Sequence, residues 1–336
     1  MRKILIALLV ITIAAGAAGW WLFLKNNITA SESQPYVNIP TGSKVADVLS
    51  LLKEKRVLQS MESFQYAARI KGYSTVKPGH YVFTRHMTNR EILNMLQSGR
   101  QTPVKLVIYN IRTKEEFAGL VGRTLEIDSV AFLAKLNDPD FCKNYGLDTN
   151  TILTHFITDN YEFKWNTHID GFMDRMDAYY DKFWLGARMA KAATMGYKPS
   201  EVITLASIVE KECIFDKELP TVASVYLNRL RINMPLQADP TLVFALRDFD
   251  ARRVTNRHKE YASPYNTYMH AGLPPGPICM PKKKSIDAVL DHEDTEFLYF
   301  CANPDMSGYS VFSKTLDEQN KVAALYRKKL DEMKVH

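Results

Sequence analysis

Cysteine is scarce. Cys142, Cys213, Cys279 and Cys301 are the four in 336 residues, far apart, and none forms a CxxC pair. That spacing excludes zinc-ribbon and thioredoxin-type readings. Buried single thiols are the ordinary reading. An even count on the oxidising side of a membrane leaves one or two disulfides open, with a pairing the sequence does not choose. A GxSxG elbow, a P-loop and a GxGxxG are also missing, so serine-hydrolase and nucleotide chemistry have no support. "HEDTE", from His292, lacks the second histidine of an HExxH zinc site. Neither a metal nor a cofactor is expected.

Charge of one sign is not concentrated either. The formal net charge is +6, and the densest basic cluster, Lys282-Lys283-Lys284, reads as a solvated turn. A nucleic-acid binder would show a basic face or stripe, so nucleic acid is not an expected partner. A mildly basic surface suits an anionic wall or membrane. Hydrophobic residues at 46% and charged residues at 24% are those of folded material, and the length allows two or three modules.

Long hydrophobic runs are limited to one. "ILIALLVITIAAGAAGWWLFL", Ile4 to Leu24, carries no charge and meets the roughly 20 residues a helix needs to span a bilayer. Arg2 and Lys3 precede it, which holds the short amino end in the cytoplasm and sends the remainder out. Trp20 and Trp21 fall at the far interface. A cleaved signal peptide competes, since "AAGAAG" offers small residues, but the apolar run continues past them to Leu24. Residues 1–25 are therefore assigned as cytoplasmic tip and anchor of a single-pass inner-membrane protein, and 26–35 as linker.

Residues 36–100 form a small α/β module. "YVNIP" reads as a strand, Ser43 as the N-cap of a helix over "KVADVLSLLKEK", and "MESFQYAARIKG" as a helix closing at Gly72. "KPGHYVF" gives turn and strand, then a helix "TNREILNMLQSG" capped by Thr88 and Gly99. Residues 101–336 form the larger part, opening with the strand "TPVKLVIYN". Helical patterns follow, including one long pattern from Asn166 to Gly196. Strands "EFLYFCA" and "YSVF" return before a polar closing helix. The class is α+β.

Within the larger part, "LASIVEKEC" puts two carboxylates into an almost wholly apolar helix that begins at Pro199 and Ser200. On a wheel of about 100° per residue, Glu210 falls between Ile203 and Ala206, and Glu212 between Leu205 and Ile208. The acids diverge, so they cannot act as a proton-sharing pair. A carboxylate in an apolar wall must find a partner, lose its charge or border a cleft. One reading is a buried ion pair with an arginine of "YLNRLRI"; the other is an acid of raised pKa over a pocket. Periodicity does not choose between the glutamates.

"LASIVEKEC", "VASVYLNRLRINMPLQADPTLVFAL" and "SPYNTYMHAGLPPGPICMP", with "DNYEF", "LYFCA" and "FSKTLDEQN", resemble the YceG-like family of endolytic murein transglycosylases over nearly the whole chain beyond the anchor. The resemblance implies a membrane-anchored lyase that cuts peptidoglycan glycan strands between N-acetylmuramic acid and N-acetylglucosamine. It implies Glu210, first glutamate of "IVEKE", as catalytic acid then base. It makes 36–100 a LysM-like module, 101–336 the catalytic domain, and peptidoglycan synthases the protein partners. Glu212, Asp159, Tyr161 and Glu162 are secondary candidates. Where the family has a Gly-Tyr-Leu-Phe-Pro-Asp-Thr type of run, this chain has "HFITDNYEF", so residues 155–158 receive no role.

Two loops complete the expected site. In "LQADPT", Asp239 and Pro240 read as N-cap and first helical residue, and the family pattern puts Gln237 and Asp239 near the cleft. "SPYNTYMHAGLPPGP" is too rich in proline and glycine for helix or central strand. Its Tyr265, Asn266, Thr267 and Tyr268 are expected at substrate, the rings against sugar faces and the amide on an acetamido group. The rival class is an inactive, anchored glycan-binding or scaffold protein with both glutamates structural.

Overall fold

A computed structural model describes residues 2–29, 35–250 and 254–333. It is an α+β protein whose first helix, α1 (Arg2–Phe23), carries no charge after Lys3 and is long and apolar enough to cross a membrane. The chain divides into two compact units. The first comprises Met1–Leu106, Val121–Asp128 and Tyr161–His168, and the second Val107–Leu120, Ser129–Asn160 and Ile169–His336.

In the first unit, β1 (Tyr36–Ile39) pairs antiparallel with β2 (Gly79–Val82), and α2 (Val45–Glu54), α3 (Met61–Ile70) and α4 (Asn89–Ser98) share a core with them. The core is apolar, with Ile39, Leu52, Phe64, Tyr81 and Leu96 fully enclosed. The Thr88 and Gly99 caps of α4 stand where the sequence puts them. At α2 the cap is Lys44, not Ser43, because the Asp47 carboxylate accepts from the Lys44 amide at 2.7 Å.

The linker reading of residues 26–35 changes at its start. Ile28 is buried in the core of the first unit and bridges to Leu58, and Asn26 bridges to Thr88. Asn27 donates to Asn89 Oδ1 at 2.7 Å, and Asn89 donates to the Leu22 carbonyl of α1 at 2.8 Å. A buried polar network thus ties the end of the apolar helix to the unit. Residues 30–34 lie outside the described residues. Segments from beyond residue 100 return as well: Glu126 accepts from the Thr41 amide and hydroxyl at 2.6 and 2.7 Å, and Gln101 binds Trp165 and Asn166.

The remaining elements, in order, are β3 (Val104–Val107), α5 (Lys114–Thr124), α6 (Ser129–Leu136), α7 (Pro139–Lys143), β4 (Asn160–Phe163), α8 (Ile169–Trp184) and α9 (Ala187–Met195). After them come α10 (Pro199–Glu212), α11 (Leu219–Arg231), α12 (Asp239–Leu246), α13 (Asn256–Lys259) and α14 (Lys283–Leu290). The hairpin β5 (Tyr299–Ala302) and β6 (Ser310–Ser313) and the closing α15 (Leu316–Glu332) end the chain. β3 and β4 form their own two-stranded sheet. The single helical pattern from Asn166 to Gly196 breaks at Gly186, whose φ of +79° is open to glycine and strained for other residues.

Helix α10 is the axis of the second unit. Val202, Ile203, Leu205, Ala206, Ile208 and Val209 are all buried, packed among Val222, Ala223 and Tyr226 of α11 and Ile286 and Val289 of α14. A helix apolar on nearly every side belongs in a core, and each such aliphatic side chain contributes about 1.5–3 kcal/mol by leaving water. All four cysteines carry free thiols.

Candidate active site

The last turn of α10 sends its two acids to different neighbours. Glu210 Oε2 accepts from the Lys282 amide at 2.6 Å and the Ser285 hydroxyl at 2.8 Å, the N-cap and a first-turn residue of α14. Lys282, Lys283 and Lys284 are therefore not a solvated turn. They open a helix whose positive dipole end repels cations, and carboxylates offset this: Glu210 at the amide, Asp159 on Lys283 and Asp216 on Lys284. One turn back on the same face, Ser207 Oγ accepts from the Ile278 amide at 3.0 Å. This flank of α10 binds chain.

Glu212 lies on the other flank. Tyr226 of α11 donates its hydroxyl to Glu212 Oε1 at 2.9 Å. Glu212 is half-buried and lines a cavity of about 400 Å³. Burial pushes its pKa up to about 7; the Tyr226 hydrogen bond opposes the rise, Asp239 adds to it, and Arg229 opposes it. The buried ion pair with an arginine of "YLNRLRI", one of the two readings of these acids, is not found for Glu212 among the described residues. Arg229 donates to the carbonyls of Leu298 at 2.6 Å, Leu236 at 2.7 Å and Pro235 at 3.4 Å, so its guanidinium is committed to backbone.

The cavity is lined by Glu212, Asp239, Phe244, Arg112, Lys211 and Ile278, among others. Asp239 is the first residue of α12, not its N-cap. Thr267 Oγ1 accepts from the Ala238 amide at 3.0 Å, so the helix is entered one residue early, and the Asp239 carboxylate is left to accept from Tyr268 at 2.5 Å. Gln237, just before, is exposed and held at φ +52°, an uncommon conformation for a residue with a Cβ.

The loop between α13 and α14 has no regular element and is stitched down by its own polar groups. Asn266 is fully buried; it donates to the Lys259 and Tyr261 carbonyls at 2.9 and 2.8 Å, and its oxygen accepts from the Tyr268 amide at 2.9 Å. That is a structural role, in place of the expected contact to an acetamido group. Thr267 is also buried, on Thr241 at 2.8 Å. Tyr265 packs its ring 4.8 Å from Phe244, on the cavity wall. Gly276 approaches the Asn150 carbonyl so closely that a Cβ would sit 2.2 Å from its oxygen.

The other candidates lie elsewhere. Asp159 is paired with Lys283 and accepts from Tyr179, Tyr161 is buried in the first unit, and Glu162 is exposed. The structure thus brings together Glu212, Asp239 and Tyr268, with Tyr265 and Thr267 behind them. It adds Tyr226, Arg112 and Lys211, which the sequence reading left out. Lys211 stands between the two glutamates of the motif; Tyr226 stands in the segment read for its arginines.

An α+β protein with a half-buried carboxyl acid of raised pKa at the edge of a cavity, beside a pinned proline- and glycine-rich loop, is the class these features define. The YceG-like family model matches residues 37–324, and the chain belongs to the YceG-like family. It is 30% identical over 311 residues to the endolytic murein transglycosylase of Bacillus subtilis (strain 168), covering 88% of this chain and 86% of that protein. To the endolytic murein transglycosylase of Streptococcus pneumoniae serotype 2 (strain D39 / NCTC 7466) it is 26% identical over 325 residues, covering 88% of this chain and 59% of that longer protein. A yceG-like protein of Listeria monocytogenes, solved by crystallography at 2.6 Å, matches with a TM-score of 0.59 and 29% identity over 87% of this chain and 99% of that one.

Proposed function

We propose that this chain is an endolytic murein transglycosylase and that Glu212, in place of Glu210, is its acid. One observation carries the assignment: the Glu212 carboxyl, held near pKa 7 by burial, is the glutamate that borders the cavity, whereas the Glu210 carboxylate is bound to the first turn of α14. A general acid works best with a pKa near the working pH.

The reaction needs one such group. Glu212 delivers its proton to the glycosidic oxygen as the bond to C1 of the muramic acid breaks, and the leaving sugar departs with a free hydroxyl. The carboxylate then takes the proton from the C6 hydroxyl of the same muramic acid while its oxygen bonds to C1, closing a 1,6-anhydro ring. The proton returns to Glu212 and no water is consumed. Tyr226 fixes Oε1, which leaves Oε2 as the proton-bearing oxygen. The Tyr268 hydroxyl holds Asp239 at the cavity edge, where a carboxylate can accept from sugar hydroxyls. Paired-carboxylate hydrolysis would instead need the second carboxylate to attack the sugar or to activate a water, whereas Asp239 is engaged by the Tyr268 hydroxyl.

The anchor reading extends this. With Arg2 and Lys3 inside, α1 would carry both units to the outer side of the cytoplasmic membrane, where the wall is built. The first unit, tied to the end of α1, would hold strands near the membrane in the place expected of a LysM-like module. Peptidoglycan synthases are its proposed neighbours. The test is digestion of purified glycan strands by the full chain: new 1,6-anhydro ends support the proposal, reducing ends alone mean hydrolysis, and binding without cleavage means a scaffold.

A further inference from the structure

The Glu212 cavity has a second chemical character that acid catalysis does not use. Arg112 and Lys211 line it. Among the described residues neither is ion-paired to a carboxylate, although other cations of this unit are: Arg188 with Asp287, Lys191 with Asp291, Lys283 with Asp159 and Lys284 with Asp216. Both are held in place by uncharged groups. The Arg112 guanidinium lies 4.6 Å above the Phe249 ring, and Lys211 Nζ donates to Asn110 Oδ1 at 3.0 Å.

Two held cations on a cavity wall, neither ion-paired to a carboxylate among the described residues, make a site for an anion. The guanidinium presents a planar fork that matches a carboxylate, and the ammonium adds a point charge. A neutral saccharide would leave both charges partly desolvated and unmatched. The same cavity carries Asp239, which repels an anion and so orients it toward Arg112 and Lys211.

We propose that Arg112 and Lys211 form a carboxylate-binding subsite that selects glycan strands carrying an anionic substituent on the muramic acid and sets which way round the strand lies. The proposal rests on the glycan-cleaving reading of this cavity. Two sources supply the carboxylate: the lactyl group itself, in strands stripped of peptide, or the stem peptide attached to it.

Calorimetric titration of the full chain in detergent separates these possibilities, in a Glu212→Gln background so that turnover does not consume ligand. The ligands are a murein tetrasaccharide with stem peptides, the same stripped by an amidase, and the methyl esters of both. The expected result is that at least one free acid binds about tenfold or more tightly than its ester, and the tighter acid identifies the source. Arg112→Gln and Lys211→Gln each remove most of that preference by weakening the acid more than the ester, whereas Arg112→Lys, which keeps the charge, retains part of it. Equal affinity for acid and ester overturns the subsite, as does a loss of both by one factor in the variants. Ligand found cut after the titration contradicts Glu212 as the acid and leaves the acid-against-ester comparison standing.

Discussion

The Tyr226 hydroxyl donates to Glu212 Oε1 at 2.9 Å from the adjacent helix, and the phenol is itself almost wholly buried against Phe300. Burial keeps that phenol protonated well past neutral pH, so it remains a donor across the working range. A donor to a carboxylate stabilises the charged form, and here it opposes a larger desolvation effect. The balance leaves an acid that still holds its proton near neutrality and can give it up.

Tyr226→Phe removes the donor and keeps the ring. The Glu212 pKa then rises above about 7, and the alkaline limb of kcat/KM moves to higher pH by about half a unit or more. A pH–rate profile reads this directly. An unmoved alkaline limb would mean that the hydrogen bond does not tune the acid.

Stability gives a second reading of the same group. The Glu212 carboxyl has a folded pKa of about 7 against an unfolded value of 4.5, so the folded state binds more protons between those limits. Its contribution is fully present below about pH 4.5 and is lost as pH rises through about 7. Glu212→Gln abolishes this dependence. Thermal melts should show the variant gaining on the parent as pH rises from about 5 to 8, by about 1–3 kcal/mol at the upper end. A constant difference across that range would place the carboxyl in contact with bulk water.

Local patterns were legible, and the neighbours were not. The 3.6-residue period located α10 and showed that Glu210 and Glu212 leave it on opposite flanks. Which flank meets a cavity depends on Tyr226, Arg112 and Asp239, residues that wheel geometry cannot bring together. The displaced Asp239 cap has the same cause, since the Thr267 hydroxyl that takes the Ala238 amide arrives from another loop. Asn266 has the composition of a sugar-binding amide, but the turn it closes uses its donors and its oxygen. The lysine run at 282–284 reads as a solvated turn until Glu210, Asp159 and Asp216 are set against it. The first unit exceeds its sequence boundary because Glu126, Trp165 and Asn166 return to it through hydrogen bonds that no period encodes.

The account stands on the division of labour between two acids two residues apart, and one paired measurement tests it: the yield of 1,6-anhydro ends from purified glycan strands with Glu212→Gln and Glu210→Gln side by side. Glu212→Gln should lose about a hundredfold or more in rate while remaining folded. Glu210→Gln should keep its rate within about tenfold and melt earlier, because its weaker hydrogen bonds to the start of α14 cost about 1–3 kcal/mol. The reverse pattern, with anhydro ends surviving Glu212→Gln and vanishing with Glu210→Gln at unchanged stability, would contradict it.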